Sequence, residues 1–485
     1  MSKRPRESGR ARFYHDVQLR GPIPQRLVFY PEVSAAPSEA LIEAARAWTA
    51  EDDMSPGSLA AAESFHRFDW LPILAGAGED GAEAIRKLTA FWLEQHGRFS
   101  PATWRATLCA PRVIRMLCHM DLLTNGMDGP MRAMILDSTA RQARHLSRFL
   151  RRGKDKQRLP VVVARTLASL CLPEDRQIGT TDTPRLGQYL RPLAEGELPA
   201  SWRHVNVALQ ETDDLFILSE AFDIRRLSAP PELDEALKVA RLYIGGFLTG
   251  EGGMVQMPGR YAPDKAALHR IGPMIRPESA ILLERMGYAS LRDGDTLFMA
   301  DLGKDQDLAG TGGIALTTGR TPLIVSCGAP SPAAIGIVDR MAAWADALNT
   351  PAAASGFDIP ALAPSSFSRP SAQEMGLSWS SRRGTIQRKF ELSESEHQLS
   401  VEEQIPTEKL DLRLHIGAGQ AKLDEHGGVD IALDQGAGAR LTIDGAKTQI
   451  EESVSAWPDG RIEKLYQIVM SPCGPAVRWR IKWGQ

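Results

Sequence analysis

A cluster of glycines, Gly310, Gly312 and Gly313, raises the question of a phosphate-binding loop. Such a loop needs a strand before the glycines and a helix after them, so that the amino terminus of the helix faces the phosphate. Here TLFMADLG (296–303) precedes the cluster and IALTTG (314–319) follows it, and both runs read as strands. No Gly-Lys-Ser/Thr sequence is present. The pattern is typical of a turn or bulge in a sheet and disfavours a phosphate site.

The five cysteines indicate a reducing compartment. They lie at positions 109, 118, 171, 327 and 473 and include no Cys-x-x-Cys pair. This spacing predicts free thiols rather than a disulfide framework or a zinc site, and we predict no metal or cofactor. The basic start, MSKRPRESGRARFYHDVQLR, lacks the apolar run of a signal peptide, and no later run is long enough for a membrane span. We therefore predict a cytoplasmic protein.

The composition is that of a globular protein with several domains. The 485 residues suffice for two or three domains, and 43% of them are hydrophobic, so each domain can bury a core. Lysine and arginine number 57 against 60 aspartates and glutamates, which gives a net charge of −3. This balance offers no electrostatic reason to expect a nucleic-acid partner.

Hydrophobic periodicity divides the chain into a helical part and a strand-rich part. Helical spacing runs from about residue 38 to 285, and its windows are 38–50, 79–97, 100–123, 131–152, 160–172, 207–222 and 231–248. Successive helices with short links favour a bundle or an α/α toroid. From 286 onward the period becomes two, in runs such as LDLRLHI (410–416) and AVRWRIKW (476–483). We predict a basic amino-terminal arm at 1–37, a helical domain at 38–285 and an antiparallel β-sandwich at 286–485; the stretch 329–380 yields no clear pattern.

Several strings in this order resemble the heparinase II/III family. They are SFHRFDWLP (64–72), FWLEQHGRFSPATW (91–104), RQARHL (141–146), GYASLRDGDTLFMADLG (287–303), GRTPLIVSCGAP (319–330), IEESVSAW (450–457) and YQIVMSPCGPAVRW (466–479). The resemblance spans nearly the whole chain. It implies an α/α toroid followed by an antiparallel β-sandwich, and the polysaccharide lyase activity of the family, which cleaves uronic-acid-containing glycans by β-elimination.

That reaction defines the residue types to look for. A group must neutralise the uronate carboxylate, a base must remove the neighbouring carbon-bound proton, and an acid must protonate the leaving oxygen. The family motif for these roles is similar to ELPASWRHVNVALQE (197–211), although its Asp-Gly step is absent. The resemblance implies His204 as a catalytic residue, with Arg203 and Asn206 beside it as carboxylate partners. The alternative is that His204 packs or caps near a helix start.

Three further residues match family positions. Tyr288 stands where the chain enters the β domain, and the resemblance implies a catalytic role for it, although such a tyrosine is often structural. Tyr243 is a candidate for the cleft, and the alternative is packing on its own helical stripe. His415 in LRLHIG is a candidate for substrate binding, and the alternative is a histidine on a sheet face.

Other family positions have lost their polar groups. Leu308 stands where relatives carry a histidine, and a leucine side chain can neither bind a metal nor move a proton. Ile314 and Ala315 replace an aromatic-acidic pair, and VDRMAAWADALNTP (338–351) contains no histidine. Two hypotheses follow: a lyase with a reduced or altered site that acts on an acidic poly- or oligosaccharide, or a non-catalytic protein that binds a glycan or a protein partner through the inherited cleft.

Overall fold

The computed structural model describes residues 17, 19–31, 63–152, 159–173, 182–255, 265–303, 313–326, 349, 352–353, 366–381, 384–393, 395–405, 410–417, 419–433, 438–456 and 462–484. These residues belong to two compact units. The first unit falls within 1–197, 210–239 and 265–271. The second unit falls within 198–209, 240–264 and 272–485. The predicted helix at 38–50 and Leu308 lie outside the described residues.

Helices fill the described chain from residue 63 to 285. They are α1 (Glu63–Arg67), α2 (Trp70–Ala75), α3 (Gly78–His96), α4 (Ala106–Cys118), α5 (Met120–Thr124), α6 (Gly129–Arg152), α7 (Leu159–Cys171), α8 (Thr183–Ala194), α9 (Val205–Ile224), α10 (Pro231–Gly245), α11 (Lys265–Ile271) and α12 (Pro277–Arg285). A short 3₁₀ helix, Ala200–Arg203, precedes α9. The predicted helical windows from 79 onward are confirmed, with two exceptions in the window 100–123: its first helix, α4, begins only at Ala106, and His119 separates α4 from α5.

Helix α3 shows why these segments are helical. Glu79 and Asp80 lie in its first turn, which complements the helix dipole. Its buried residues recur three or four positions apart and include Ile85, Leu88 and Trp92, so one face of the helix is apolar. Helix α7 differs because every residue from Val161 to Cys171 is buried, which makes it a core helix of the first unit. No helix among the described residues is long and apolar enough to span a bilayer.

Strands begin at Tyr288 and form two antiparallel sheets. They are β1 (Tyr288–Asp293), β2 (Thr296–Asp301), β3 (Ile314–Thr318), β4 (Thr321–Val325), β5 (Ala352–Ala353), β6 (Ser366–Ser368), β7 (Glu374–Ser381), β8 (Gly384–Ser393), β9 (Gln398–Gln404), β10 (Leu410–Ile416), β11 (Gly419–Leu423), β12 (Val429–Leu433), β13 (Gly438–Asp444), β14 (Ala446–Ala456), β15 (Ile462–Pro472) and β16 (Ala476–Trp483). The first sheet has the order β1-β2-β3-β4-β10-β15-β14, with β5 beside β10. The second has the order β11-β12-β13-β16-β9-β8-β7-β6.

Alternating residues of the two sheets build one core. Strand β8 alternates strictly between buried and accessible positions, as the period of two predicts. Phe298 of the first sheet and Phe390 of the second belong to this core, and their ring centroids lie 4.8 Å apart. The fold class is therefore confirmed: a helical region precedes an antiparallel β-sandwich. The domain boundaries at 37/38 and 285/286 stay predictions.

The core also contains an ion pair. Arg388 and Glu403 are 1% and 0% exposed, and their charged atoms lie 3.0 Å apart. Trp479 donates to the same Glu403 oxygen at 2.9 Å, while Arg388 donates to the Asn349 carbonyl at 3.0 Å. Asn349 in turn donates through its side chain to the Ile314 carbonyl at 3.0 Å. Asn349 thus bonds to both sheets, and it lies in the stretch whose sequence pattern was unclear.

Candidate functional site

The segment that carries His204, Arg203 and Asn206 belongs to the second unit. It runs from Leu198 to Leu209 and contains the 3₁₀ helix and the first turn of α9. Trp202 is fully buried and Arg203 is 5% exposed. His204 and Asn206 are half-buried, so both retain accessible side-chain surface. Of the three predicted site residues in this segment, Arg203 is therefore buried, and His204 and Asn206 are accessible to a ligand.

Arg203 is held by a dense set of contacts. Its guanidinium donates to Asp301 Oδ1 at 2.5 Å and to the carbonyls of Met286 and Gly287 at 2.8 and 3.2 Å. Asp301 Oδ1 also accepts from the Gly303 backbone at 2.7 Å. Because both charges are buried, each needs the other to offset its desolvation. Arg203 is thus paired with Asp301 inside the protein. Binding of a substrate carboxylate by Arg203 stays a prediction.

Tyr288 completes the same group of contacts. Its side chain is fully buried, its hydroxyl donates to the Arg203 carbonyl at 2.8 Å, and its ring lies 4.8 Å from the guanidinium carbon. A tyrosine acting as a base or acid must reach the substrate through its hydroxyl. Here that hydroxyl is bonded to the backbone inside the protein. The structure thus brings Tyr288 and Arg203 together, and catalysis by Tyr288 stays a prediction.

Tyr243 has an equivalent arrangement. It is fully buried, and its hydroxyl donates to the Trp202 carbonyl at 2.8 Å. Its ring stacks on Trp202 at 6.1 Å and meets Phe247 edge-on at 5.4 Å, and Phe247 in turn meets Tyr288 at 5.4 Å. The aromatic rings of Tyr243, Phe247 and Tyr288 therefore form a continuous row of contacts that begins at Trp202 in the segment 198–209. Substrate binding by Tyr243 stays a prediction.

His415 lies on β10, on the face of the first sheet that points away from the sandwich core. Its neighbours Leu414 and Ile416 belong to the core, so the alternation of the strand places His415 on the opposite face. The ring is 2% exposed, and its Nδ1 lies 2.9 Å from the Ser453 hydroxyl. The backbone nitrogen of His415 donates to the Asn349 side chain at 2.7 Å. These contacts fix the ring, and its role in substrate binding stays a prediction.

Polar side chains surround His415 on this face. Arg413 donates to Glu451 at 3.1 Å, Gln467 donates to the same Glu451 oxygen at 2.9 Å, and Ser471 donates to Asp411 at 2.8 Å. The group spans β10, β15 and β14. Such a network can bind a polar ligand or hold a polar surface in place.

Asp301 was not singled out by the sequence reasoning. It ends β2, a strand whose six positions are all buried. An acidic residue in a fully buried strand needs a cationic partner. That signal was present in TLFMAD (296–301), but the sequence could not identify Arg203 as the partner across 98 positions.

The glycine cluster joins two neighbouring strands. β2 pairs with β3 in antiparallel register, from Thr296 opposite Thr318 to Ala300 opposite Ile314. Residues 304–312 lie outside the described part. Strand β3 begins at Ile314, directly after Gly313, so a strand follows the glycines where a phosphate loop requires a helix. Within the described residues, no group of three or more histidines, cysteines or acids could hold a metal ion.

The first unit contains a separate cluster of titratable groups. Arg270 forms a two-point ion pair with Asp213 at 2.5 and 2.7 Å. Burial raises the pKa of Asp214 to about 8, and the charges of Asp213 and Glu211 add to this, against Arg115 and Arg270. Burial lowers the pKa of His119 to about 4, helped by the same two arginines. Near neutral pH, both Asp214 and His119 are therefore uncharged.

Comparisons of sequence give one curated relative at low identity. The chain is 26% identical over 312 residues to FtsZ-localized protein C of Caulobacter vibrioides, and the match covers 61% of this chain. The chain spans about half the length of that relative, since the match covers 52% of it. No family model matches the sequence.

Comparisons of structure identify the fold. Heparinase III superimposes with a TM-score of 0.67 at 14% identity, over 98% of this chain and 89% of that one. Heparan sulfate lyase HepC from Pedobacter heparinus superimposes with a TM-score of 0.52 at 12% identity, over 86% of this chain and 76% of that one. The helical region followed by two antiparallel sheets is common to them. This chain therefore has the heparinase-like polysaccharide lyase fold.

Proposed function

We propose that this chain is a non-catalytic protein of the heparinase-like fold that binds a protein partner. The observation that carries the proposal is the buried group of Arg203, Tyr288 and Asp301. The Arg203 and Asp301 side chains are 6% and 7% exposed, and Tyr288 is fully buried. Because these side chains are buried and bonded within the group, they cannot contact a glycan. They stabilise the fold at a place where the family resemblance implies catalysis.

Two further observations support this role. Leu308 stands in the position where the resemblance implies a histidine, so a polar group is missing from the sequence itself. The sequence relative is named for its localization to FtsZ, which favours a protein partner over a glycan. A cytoplasmic location belongs to the same proposal. It is supported by Cys109, Cys118, Cys171 and Cys473, the described cysteines, all of which are free thiols.

The first test is for lyase chemistry. Purified chain is incubated with a panel of uronic-acid polysaccharides while the ultraviolet absorbance of unsaturated uronate is recorded, with heparinase III as the positive control. We expect no increase over the protein-free reaction. An increase that is proportional to protein concentration would overturn the non-catalytic part of the proposal.

The second test is for the partner. Purified FtsZ is immobilised, and binding of the full chain is followed by biolayer interferometry, with serum albumin as the negative control. We expect saturable binding that the control does not show. A response no larger than that of albumin would exclude FtsZ as the direct partner and overturn this part of the proposal.

Lyase activity is the second candidate function. It is favoured by His204 and Asn206, which are half-buried and therefore accessible, next to a fold shared with lyases. In that case a suitable acidic glycan gives unsaturated product, and His204→Ala abolishes it without lowering the melting temperature. His426→Ala is the matched control, because His426 is exposed in the turn between β11 and β12 and is not a predicted site residue.

A further inference from the structure

The outer face of the second sheet carries a groove of about 750 Å³, and β6, β7, β8, β9, β16 and β13 line it. Its size falls in the range of known ligand sites. The aromatic residues at its floor, Phe390 and Trp479, are 1% and 2% exposed and belong to the sandwich core. Neither ring is accessible enough for a sugar to stack on it. Lys389 of β8 lies opposite Glu402 of β9, and Arg478 of β16 lies opposite Asp444 of β13, so these four charges of the lining face charges of opposite sign.

One side of the groove is acidic. Glu374 of β7 and Glu391 of β8 lie directly opposite each other in the antiparallel register, and both are exposed. Like charges in this relationship destabilise a sheet. Within the described residues, neither carboxylate forms an ion pair. A cation from another molecule would relieve their repulsion.

The other side of the groove is basic. Arg480 of β16 is exposed and lies opposite Ser400 of β9 and Thr442 of β13, neither of which can neutralise it. Its neighbour Arg478 already contacts Glu402 at 3.2 Å. Arg480 has no acidic partner in the part of the chain that the structure describes. It can therefore accept an anion from outside.

The two charged sides have a defined separation. Glu391 lies opposite Ser400, and Ser400 lies opposite Arg480, so the acidic and basic groups stand two strands apart. Two strand spacings amount to about 10 Å. The small hydroxyl of Ser400 leaves the space between them open. A ligand that matches this site must carry a positive and a negative charge about 10 Å apart.

We propose that this groove binds an extended segment of a partner protein that carries a basic residue and, three positions away, an acidic residue. In a polyproline II segment, residues three positions apart lie on the same side, about 9 Å from each other. The basic side chain would contact Glu374 and Glu391, and the acidic one Arg480. A uronate polymer carries only negative charges and would be repelled by the two glutamates. The inference rests on the proposed protein-binding role and assigns its surface.

Two peptides of the same composition test the spacing. One contains Lys-Pro-Pro-Glu, and the other contains Lys-Glu-Pro-Pro; both are capped at their ends and titrated into the full chain by calorimetry. We expect saturable binding of the first peptide, at least tenfold weaker binding of the second, and loss of affinity as salt increases. Equal affinities, or no heat from either peptide, would overturn the proposal.

Charge reversal tests the site itself. Arg480→Glu should weaken binding of the Lys-Pro-Pro-Glu peptide at least tenfold and create binding of a Lys-Pro-Pro-Lys peptide, which a general loss of structure cannot do. Lys422→Glu is the matched control, because Lys422 is exposed on β11, outside the groove lining. If Arg480→Glu and Lys422→Glu behave alike, the groove is not the site.

The proposed function is decided separately. FtsZ binding by the unmodified chain tests the partner, and the peptide titrations test the groove. If the Arg480→Glu variant still binds FtsZ and the peptides do not bind, the groove is not the binding site. FtsZ would then still be the proposed partner.

Discussion

The Arg203 guanidinium donates to Asp301 at 2.5 Å, and the two side chains are 6% and 7% exposed. This pair connects the segment before α9 to the end of β2. Breaking a buried pair costs more than the pair contributes, because the remaining charge is left without compensation. We therefore expect the stability of the second unit to depend on Arg203, for which the resemblance implies substrate binding, and on its partner Asp301.

Asp301→Ala is expected to lower the free energy of unfolding by about 3 to 5 kcal/mol, since Arg203 would remain buried without its anion. Urea unfolding followed by circular dichroism measures this. Lys87→Ala is the control, because Lys87 pairs with Glu83 at 3.0 Å on an accessible helix surface and should change stability by less than about 0.5 kcal/mol. Equal effects of the two substitutions would show that the buried pair has no special role.

Tyr288→Phe and Tyr243→Phe should have similar effects. Each removes a hydroxyl that donates to a backbone carbonyl at 2.8 Å and leaves the ring in place. We expect each to lower the free energy of unfolding by about 1 kcal/mol. Measured partner binding should not change with either substitution. If Tyr288→Phe alone abolished a lyase activity without loss of stability, Tyr288 would be catalytic after all.

Asp214→Asn should make the protein more stable at alkaline pH. The pKa of Asp214 is raised from 3.8 to about 8, so the folded state holds a proton that the unfolded state releases. Stability from this group is present below about pH 4 and is lost as pH rises towards 8. Melting temperatures between pH 5 and 9 should therefore fall less steeply in the variant. An unchanged slope would contradict the raised pKa.

His119→Gln should reduce the fall in melting temperature as the pH is lowered from 7 to 4. The pKa of His119 is lowered from 6.5 to about 4, so between these values the unfolded state binds a proton that the folded state does not. Stability from this group is complete above pH 6.5 and is lost as pH falls towards 4. Melting temperatures between pH 4 and 7 test this. His397→Gln is a suitable control, because His397 lies in a turn between β8 and β9.

Periodicity predicted most of the elements, and the resemblance predicted their arrangement. The runs LDLRLHI and AVRWRIKW became β10 and β16 at the expected residues, because alternation of apolar side chains suits only one face of a sheet. Strands β6 and β7 were not predicted. Strand β6, SFS, is too short to show a period. Strand β7, EMGLSWSS, does alternate, with Met375, Leu377 and Trp379 at every second position, but it lies at the end of the stretch 329–380, whose pattern was unclear. In the structure β6 pairs with β7, and β7 pairs with β8, so hydrogen bonds between strands place both in the second sheet.

The sequence by itself determined the change from helices to strands, because this depends on residue types and short periods. The resemblance implied the toroid, which periodicity had left open against a bundle, and a histidine in place of Leu308. Only the tertiary structure decided that Tyr288 donates to the Arg203 carbonyl and that Arg203 faces Asp301. Residue types could not distinguish a tyrosine or arginine in a cleft from one inside the protein. That difference depends on contacts between positions 85 and 98 residues apart in the chain, which have no local signature.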